Sequence, residues 1–247
     1  MSRQKSSNLT FINLLRNSQK SLTEKSGRFF KDEGKEKKII KDIIKKLNLL
    51  DNKKDFLDIG CGFGYLTDLI IKFSQKRKLN LTLCDIKHVI QKLKKKYKNK
   101  KNIKFIGSEF QKYDFSRKKY DRILIYSAIQ YVDNPKFFIK KAYNLLKNDG
   151  QLLIGDIPNV NKKYRFLRSN FGKKFEKKRR NIDDLNLLTK NISSFFKNTK
   201  QNLEINDKFI FWLFKTFQKK GANVYLFNQP KKLPFSFTRD DVLIQKL

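Results

Sequence analysis

Asp55-Phe56-Leu57-Asp58-Ile59-Gly60-Cys61-Gly62-Phe63-Gly64 is the stretch of this 247-residue chain that decides its fold. An apolar run of strand character meets three glycines at alternate positions. It then enters residues 65–73, whose apolar side chains recur at helical spacing. A strand that turns through glycines directly into a helix opens a βαβ unit. In open sheets of such units, ligands bind beyond the carboxyl ends of the strands. Glycine suits that turn because the backbone bends tightly and a ligand approaches it without a Cβ in the way. The turn departs from two phosphate-binding patterns. A dinucleotide fingerprint needs glycine where Tyr65 stands, and no lysine follows as in a phosphate-cradling loop.

Outward from this stretch the pattern alternates. Ile39, Ile40, Ile43, Ile44 and Leu47 place an amphipathic helix over residues 35–49. Strands are expected at 56–59, 79–84, 103–106, 123–126 and 151–154, with helices at 65–73, 89–97 and 135–146. Pro135 sits near a helix start, where its missing N–H does no harm. Asn148-Asp149-Gly150 is a stop signal. The rhythm implies an α/β, three-layer Rossmann-like sheet, mostly parallel and covered on both faces. It breaks after Asp156, and residues 158–206 read as a helical, basic insertion. A helix over 208–219, ended by Gly221, is followed by strands at 223–227 and 241–245. Their short link, holding Pro230 and Pro234, implies an antiparallel closing strand, since parallel neighbours need a long crossover. Residues 1–34 form a polar lead-in to a single domain over 35–247.

Lys+Arg number 58 and Asp+Glu 23, a net charge of +35. Of the basic residues 47 are Lys, and 22 Asn stand beside only three Ala, the composition expected of AT-rich coding. Much of the excess is therefore expected on solvated helix faces, although the field still favours anionic ligands. The 39% hydrophobic content excludes wholesale disorder. No apolar run approaches the roughly 20 residues of a membrane helix. Met1–Thr10 lacks the apolar centre of a secretory signal, so a cytoplasmic protein with no transmembrane segment is expected. Cys61 and Cys84 are too few for a disulfide scaffold or a zinc site, and no metal is expected.

The spacing Asp58-x-Gly60-x-Gly62-x-Gly64 resembles the first motif of class I S-adenosylmethionine-dependent methyltransferases. Asp85, ending the second strand, resembles the acidic residue that accepts both ribose hydroxyls in that family. It also suits a helix N-cap. Gly107-Ser108-Glu109-Phe110 resembles the adenine-holding segment. Tyr120-Asp121-Arg122-Ile123-Leu124-Ile125-Tyr126-Ser127 resembles the fourth strand with its acidic start. The resemblance, spanning about residues 37–156, implies S-adenosyl-L-methionine as cofactor. It assigns Asp58, Gly60, Cys61, Gly62, Gly64, Asp85, Ile86, Glu109, Phe110 and Ser127 to holding it.

For the methyl acceptor the resemblance implies that Ser127-Ala128-Ile129-Gln130-Tyr131-Val132 lies beside the transferred group. The Asn/Asp-Pro-Pro-aromatic cluster of enzymes acting on adenine amines is absent. Neither cysteine stands where a nucleophile for cytosine would. Tyr131 or Asp156 is the candidate catalytic base, and Gln130, Arg165 and Arg168 are candidate substrate contacts. His88, the single histidine, reads as a surface or helix-start residue. Together with the tail from Gln229 to Ile244, the segment after Asp156 is similar to methyltransferase-domain proteins of bacterial surface-glycan synthesis. The expected activity is methyl transfer to a small anionic acceptor, a sugar or glycan precursor, at oxygen. An RNA methyltransferase is the alternative. Ten basic residues lie between Lys162 and Arg180, interleaved with Tyr164, Phe166, Phe171 and Phe175. That pattern suits single-stranded RNA, a phosphate-bearing substrate or a solvated helix face. A scaffold that binds cofactor without catalysis is the third reading. Asp58, the three glycines and Asp85 occurring together count against it.

Overall fold

The computed structural model describes residues 34–51, 54–98, 100–180, 205–233 and 235–247. The expected lead-in, apart from Gly34, and the later part of the expected insertion lie outside the described residues. Successive elements are α1 (Glu36–Lys46), β1 (Asp55–Ile59), α2 (Tyr65–Lys76), β2 (Asn80–Asp85), α3 (Lys87–Lys96) and β3 (Ile103–Gly107). Then come β4 (Tyr120–Tyr126), a 3-10 turn (Ile129–Tyr131), α4 (Pro135–Asn144) and β5 (Leu146–Pro158). The chain continues through α5 (Val160–Arg168), α6 (Asn170–Arg180), α7 (Asp207–Gln218), β6 (Asn223–Asn228) and β7 (Arg239–Gln245).

The seven strands run in the order β3-β2-β1-β4-β5-β7-β6. The first five are mutually parallel, and β7 pairs antiparallel with both β5 and β6. The chain leaves β1 toward β2 and β3, then crosses back so that β4 takes the other side of β1. That reversal opens the crevice in which α/β sheets bind ligands.

Strand alternation divides the core. Leu57, Ile59, Ile123, Ile125, Leu152 and Ile154 pack with Phe138 and Ile139 of α4 and with Phe209, Leu213 and Phe217 of α7. Phe56, Leu124 and Leu153 face the other way, onto Ile39 and Ile43 of α1, Ile70 and Ile71 of α2 and Val89 of α3. Every strand of the sheet centre is buried on both faces, which is why those segments are continuously apolar. Side-chain caps set several helix starts. Asn134 Oδ1 accepts from Phe137 N at 3.0 Å with Pro135 in the first turn, and Asn206 Oδ1 accepts from Phe209 N at 3.1 Å. Arg122 reaches from β4 to the end of α1, where its Nε donates to Leu47 O at 2.6 Å.

Two features depart from the sequence reading. The fifth strand is longer than residues 151–154, because β7 pairs with it as far as Pro158↔Arg239. It also carries an irregularity between Ile154 and Ile157, and Asp156 lies inside it with φ +57°. In the insertion, α5 and α6 are helical, and their phenylalanines pack together while Tyr164 and the edge of Phe171 remain exposed. Phe166, Phe171 and Phe175 surround Phe237 of the β6–β7 connection, with ring centroids 5.2 Å from it in each case. The interleaving is an internal packing device, and Phe166 stacks parallel on Phe237.

Candidate functional site

The crevice at the carboxyl ends of β1, β2 and β4 encloses about 190 Å³. Its floor is the glycine turn. Gly60 has φ +70° and donates its N–H to Cys84 O at 2.8 Å; Gly62 has φ +67°. Both conformations disfavour any residue with a Cβ. Gly60 has a second reason to be glycine, since a Cβ there would sit 2.6 Å from Ala128 Cβ. Around Gly62 nothing lies within 4 Å of that position, so its backbone is open to a ligand. Thr67 Oγ1 closes the turn by donating to Cys61 O at 2.6 Å.

Asp85 joins the turn to the next unit. Its Oδ2 accepts from Gly62 N at 2.8 Å and its Oδ1 from Ile86 N at 2.7 Å. The second of these is a bond to the next residue, not a helix cap: Ile86 is the N-cap of α3 and no side chain caps that helix. Each oxygen keeps a lone pair for a further donor. Burial pushes the Asp85 carboxyl up to about 6, against the pull of those two N–H groups. Asp58 lies beneath the turn, outside the crevice lining, with only 2% of its surface exposed. Burial, and then the neighbouring charge of Asp85, push it up to about 8.

The remaining walls come from Ser108, Glu109 and Phe110 after β3, and from Ser127, Ala128, Tyr131 and Val132 after β4. The structure thus gathers in one crevice all the expected cofactor residues except Asp58: Gly60, Cys61, Gly62, Gly64, Asp85, Ile86, Glu109, Phe110 and Ser127. Tyr131, exposed at the crevice mouth, joins them. Phe63, Tyr65, Thr67 and Tyr126 also line it, unannounced by any motif. Gly155 makes room for the Tyr126 ring, whose Cδ2 would be 2.4 Å from a Cβ at that position.

The other candidates lie elsewhere. Gln130 turns back on its own 3-10 turn and donates from Nε2 to Ser127 O at 2.8 Å. Arg165 forms a bidentate pair with Asp207, and Arg168 lies over the Tyr164 ring; neither lines the crevice. Asp156, a candidate base, lies within the irregularity of β5 and does not line the crevice. It is buried, accepts from Ser127 Oγ and, at 3.3 Å, from Gln229 Nε2, and sits 3.9 Å from Arg239 Nε. Its own N–H donates to Asp241 Oδ1 at 2.7 Å, and Asp241 pairs with Lys46 Nζ at 2.7 Å. Ser127 and Asp156 both hold left-handed backbones, φ +53° and +57°. Each costs on the order of 1–3 kcal/mol, a strain that persists only where the surroundings enforce it.

The donor set can be tested against the cofactor that the motif implies. Asp85 and Glu109 are the only charged side chains among the described residues lining the crevice, in a chain of net charge +35. Acidic walls with no cation suit a sulfonium nucleoside that carries positive charge and ribose hydroxyls. They do not suit a pyrophosphate. A nucleoside bound there would meet Asp85 as an acceptor for its hydroxyls, the open backbone of Gly62 and the apolar Phe110. No group of three His, Cys, Asp or Glu among the described residues converges to hold a metal ion.

Residues 57–154 match the sequence family described as a methyltransferase domain. Malonyl-[acyl-carrier protein] O-methyltransferase 2 of Ilyobacter polytropus is 34% identical over 101 residues, 40% of this chain and 38% of that one. Ribosomal RNA small subunit methyltransferase A of Mesomycoplasma hyopneumoniae is 31% identical over 121 residues, 49% of this chain and 43% of that one. The chain thus spans less than half the length of these curated relatives. Among solved structures, the plantazolicin methyltransferase BpumL, in complex with a pentazolic desmethylPZN analog and SAH, superposes with a TM-score of 0.62. That alignment covers 98% of this chain and 96% of BpumL at 14% identity, which is a likeness of fold. The glycine turn, Asp85 and the family match together make residues 57–154 a class I methyltransferase domain whose cofactor is S-adenosylmethionine.

Proposed function

We propose that the protein transfers a methyl group from S-adenosylmethionine to an oxygen atom of a small acceptor, such as a sugar of a glycan precursor. The crevice carries this reading: an open glycine turn and a buried carboxylate, walled without a cation among the described residues. Bound there, the cofactor would supply an electrophilic methyl group. The chain would contribute position, which is worth roughly 7–11 kcal/mol in such bimolecular steps. Tyr131, Val132 and Tyr126 would shield the reacting end from water. The anionic part of the acceptor would stay outside the crevice. Lys92 and Lys96 lie over the Phe63 ring at 5.9 and 5.7 Å from its centre, Lys96 also pairing with Asp68 at 2.6 Å. A cytoplasmic location belongs to this proposal, supported by the lack of any helix among the described residues long and apolar enough to cross a membrane.

RNA is the second reading, favoured by the relative named for ribosomal RNA and by the exposed Lys94, Lys95 and Lys96 of α3. The internal use of Phe166 and Phe175 weighs against it, because those rings are taken. Incubation with methyl-labelled cofactor separates the two, using total RNA in one arm and a nucleic-acid-free cell extract in the other. Label in the extract is the expected result, and label confined to RNA overturns it. Failure of S-adenosylhomocysteine to bind in calorimetry would remove both.

A further inference from the structure

Ser127 is held at three points. Its N–H donates to Gly155 O at 3.1 Å, its carbonyl accepts from Gln130 Nε2, and its hydroxyl donates to Asp156 Oδ2. With its proton given to Asp156 Oδ2, the Ser127 Oγ has its lone pairs left for the crevice. Ser127 therefore reads a hydrogen-bond donor there. The crevice lining offers a carboxylate acceptor nothing, since no lysine, arginine or histidine is found among its described residues. Strain points the same way. Two neighbouring strand ends adopt left-handed backbones, and the side chains so displayed are bonded to each other.

Resting on methyl transfer to oxygen, we propose that the acceptor is a protonated hydroxyl and that its proton leaves through Ser127 to Asp156. As the acceptor oxygen bonds the methyl carbon, the pair of the broken carbon–sulfur bond stays on sulfur. The hydroxyl proton passes to Ser127 Oγ while the Ser127 proton passes to Asp156 Oδ2. The products are a methyl ether, a thioether and a neutral Asp156 carboxyl, which returns its proton to solvent before the next turnover. Ser127 touches the acceptor, and Asp156 is a positioning residue acting through it. The groups facing Asp156 are Gln229 and Arg239, together with Asp241, whose other oxygen is neutralised by Lys46. This surround keeps one cation beside the carboxylate while it waits to accept.

The test compares wild type, Asp156→Asn and Ser127→Ala. The probes are S-adenosylhomocysteine in calorimetry, and methyl-labelled cofactor with a nucleic-acid-free small-molecule extract of cells lacking the gene. Expected are an S-adenosylhomocysteine affinity within about threefold of wild type in Asp156→Asn, and labelling at saturation about 100-fold slower in both variants. The label is expected as alkali-stable methyl ether. The Asp156→Asn rate should climb with pH between 7 and 9.5 as solvent base replaces the carboxylate, which a merely structural loss would not produce. Wild-type rates in either variant overturn the proposal. So does an affinity loss parallel to the rate loss, which would place the pair on the cofactor, and so does label released by mild alkali as a carboxylate ester. Ser127→Ala removes one donor from Asp156 but keeps its contacts to Gln229, Arg239 and Asp241, so the test stays valid if Asp156→Asn does not fold. A wild-type protein that labels nothing in the extract defeats the underlying reading instead, whatever the variants do.

Discussion

Replacing Gly60 by alanine should cost far more than the same change two residues later, although both glycines have nearly the same φ, +70° and +67°. The left-handed backbone costs an L-residue about 1–2 kcal/mol at either site. At Gly62 that is the whole penalty, since the new methyl meets nothing within 4 Å. At Gly60 the methyl lands 2.6 Å from Ala128 Cβ, roughly 1 Å inside an ordinary contact, and overpacking of that kind adds about 1–3 kcal/mol. Gly60→Ala should therefore destabilise by about 2–5 kcal/mol and Gly62→Ala by about 1–2 kcal/mol. Thermal midpoints move roughly 2–4 °C per kcal/mol in a domain of this size, so scanning calorimetry should resolve the two. A cycle with Ala128→Gly isolates the contact: the double variant Gly60→Ala/Ala128→Gly should recover about 1–3 kcal/mol relative to additivity. Equal losses at the two glycines, or an additive cycle, would show that the turn does not rest on Ala128.

Three further outcomes follow from the buried charges. Asp58, at about 8 in the fold against 3.8 in an unfolded chain, keeps one extra proton on the native state. Stability of the free protein should then fall by about 1.4 kcal/mol per pH unit as pH rises from 6 toward 8. Urea titrations at several pH values should show a shallower slope in Asp58→Asn, and identical slopes would exclude Asp58 as the source. Asp85, at about 6, becomes a poorer acceptor when protonated, so S-adenosylhomocysteine affinity measured by calorimetry should drop as pH falls below 6 and hold steady above it. Lys46→Met strands the fully buried Asp241 without its cation and should cost about 3–5 kcal/mol in urea unfolding, most of it restored by adding Asp241→Asn.

The family resemblance and the glycine turn were both legible before any coordinates, because they are local. A strand end, three glycines and a helix start are covalently adjacent, and their spacing carries the same constraint wherever the chain folds. The alternation of strands and helices likewise follows from periodicities of two and 3.6. The place of Asp85 in the crevice was readable because a carboxylate ending a strand of an open sheet stands beside the turn that follows the neighbouring strand.

Arg165 and Arg168 do not line the crevice and Asp156 meets it only through Ser127, for a physical reason. Whether a side chain at a strand end faces the crevice depends on register, and β7 pairs with β5 past an irregularity that turns Asp156 to Ser127 and Gln229 instead. Arg165 was drawn off by Asp207, 42 positions along the chain, and the insertion's phenylalanines by Phe237. Composition showed a strongly basic chain. Only folding decided that its crevice would be walled by two carboxylates and no cation among the described residues, since that depends on which faces meet and not on how many lysines exist. Sequence therefore determined the scaffold and the cofactor turn, whose causes lie within a few bonds. Tertiary structure decided where Asp156, Arg165 and the insertion's phenylalanines turn, because their partners are distant along the chain.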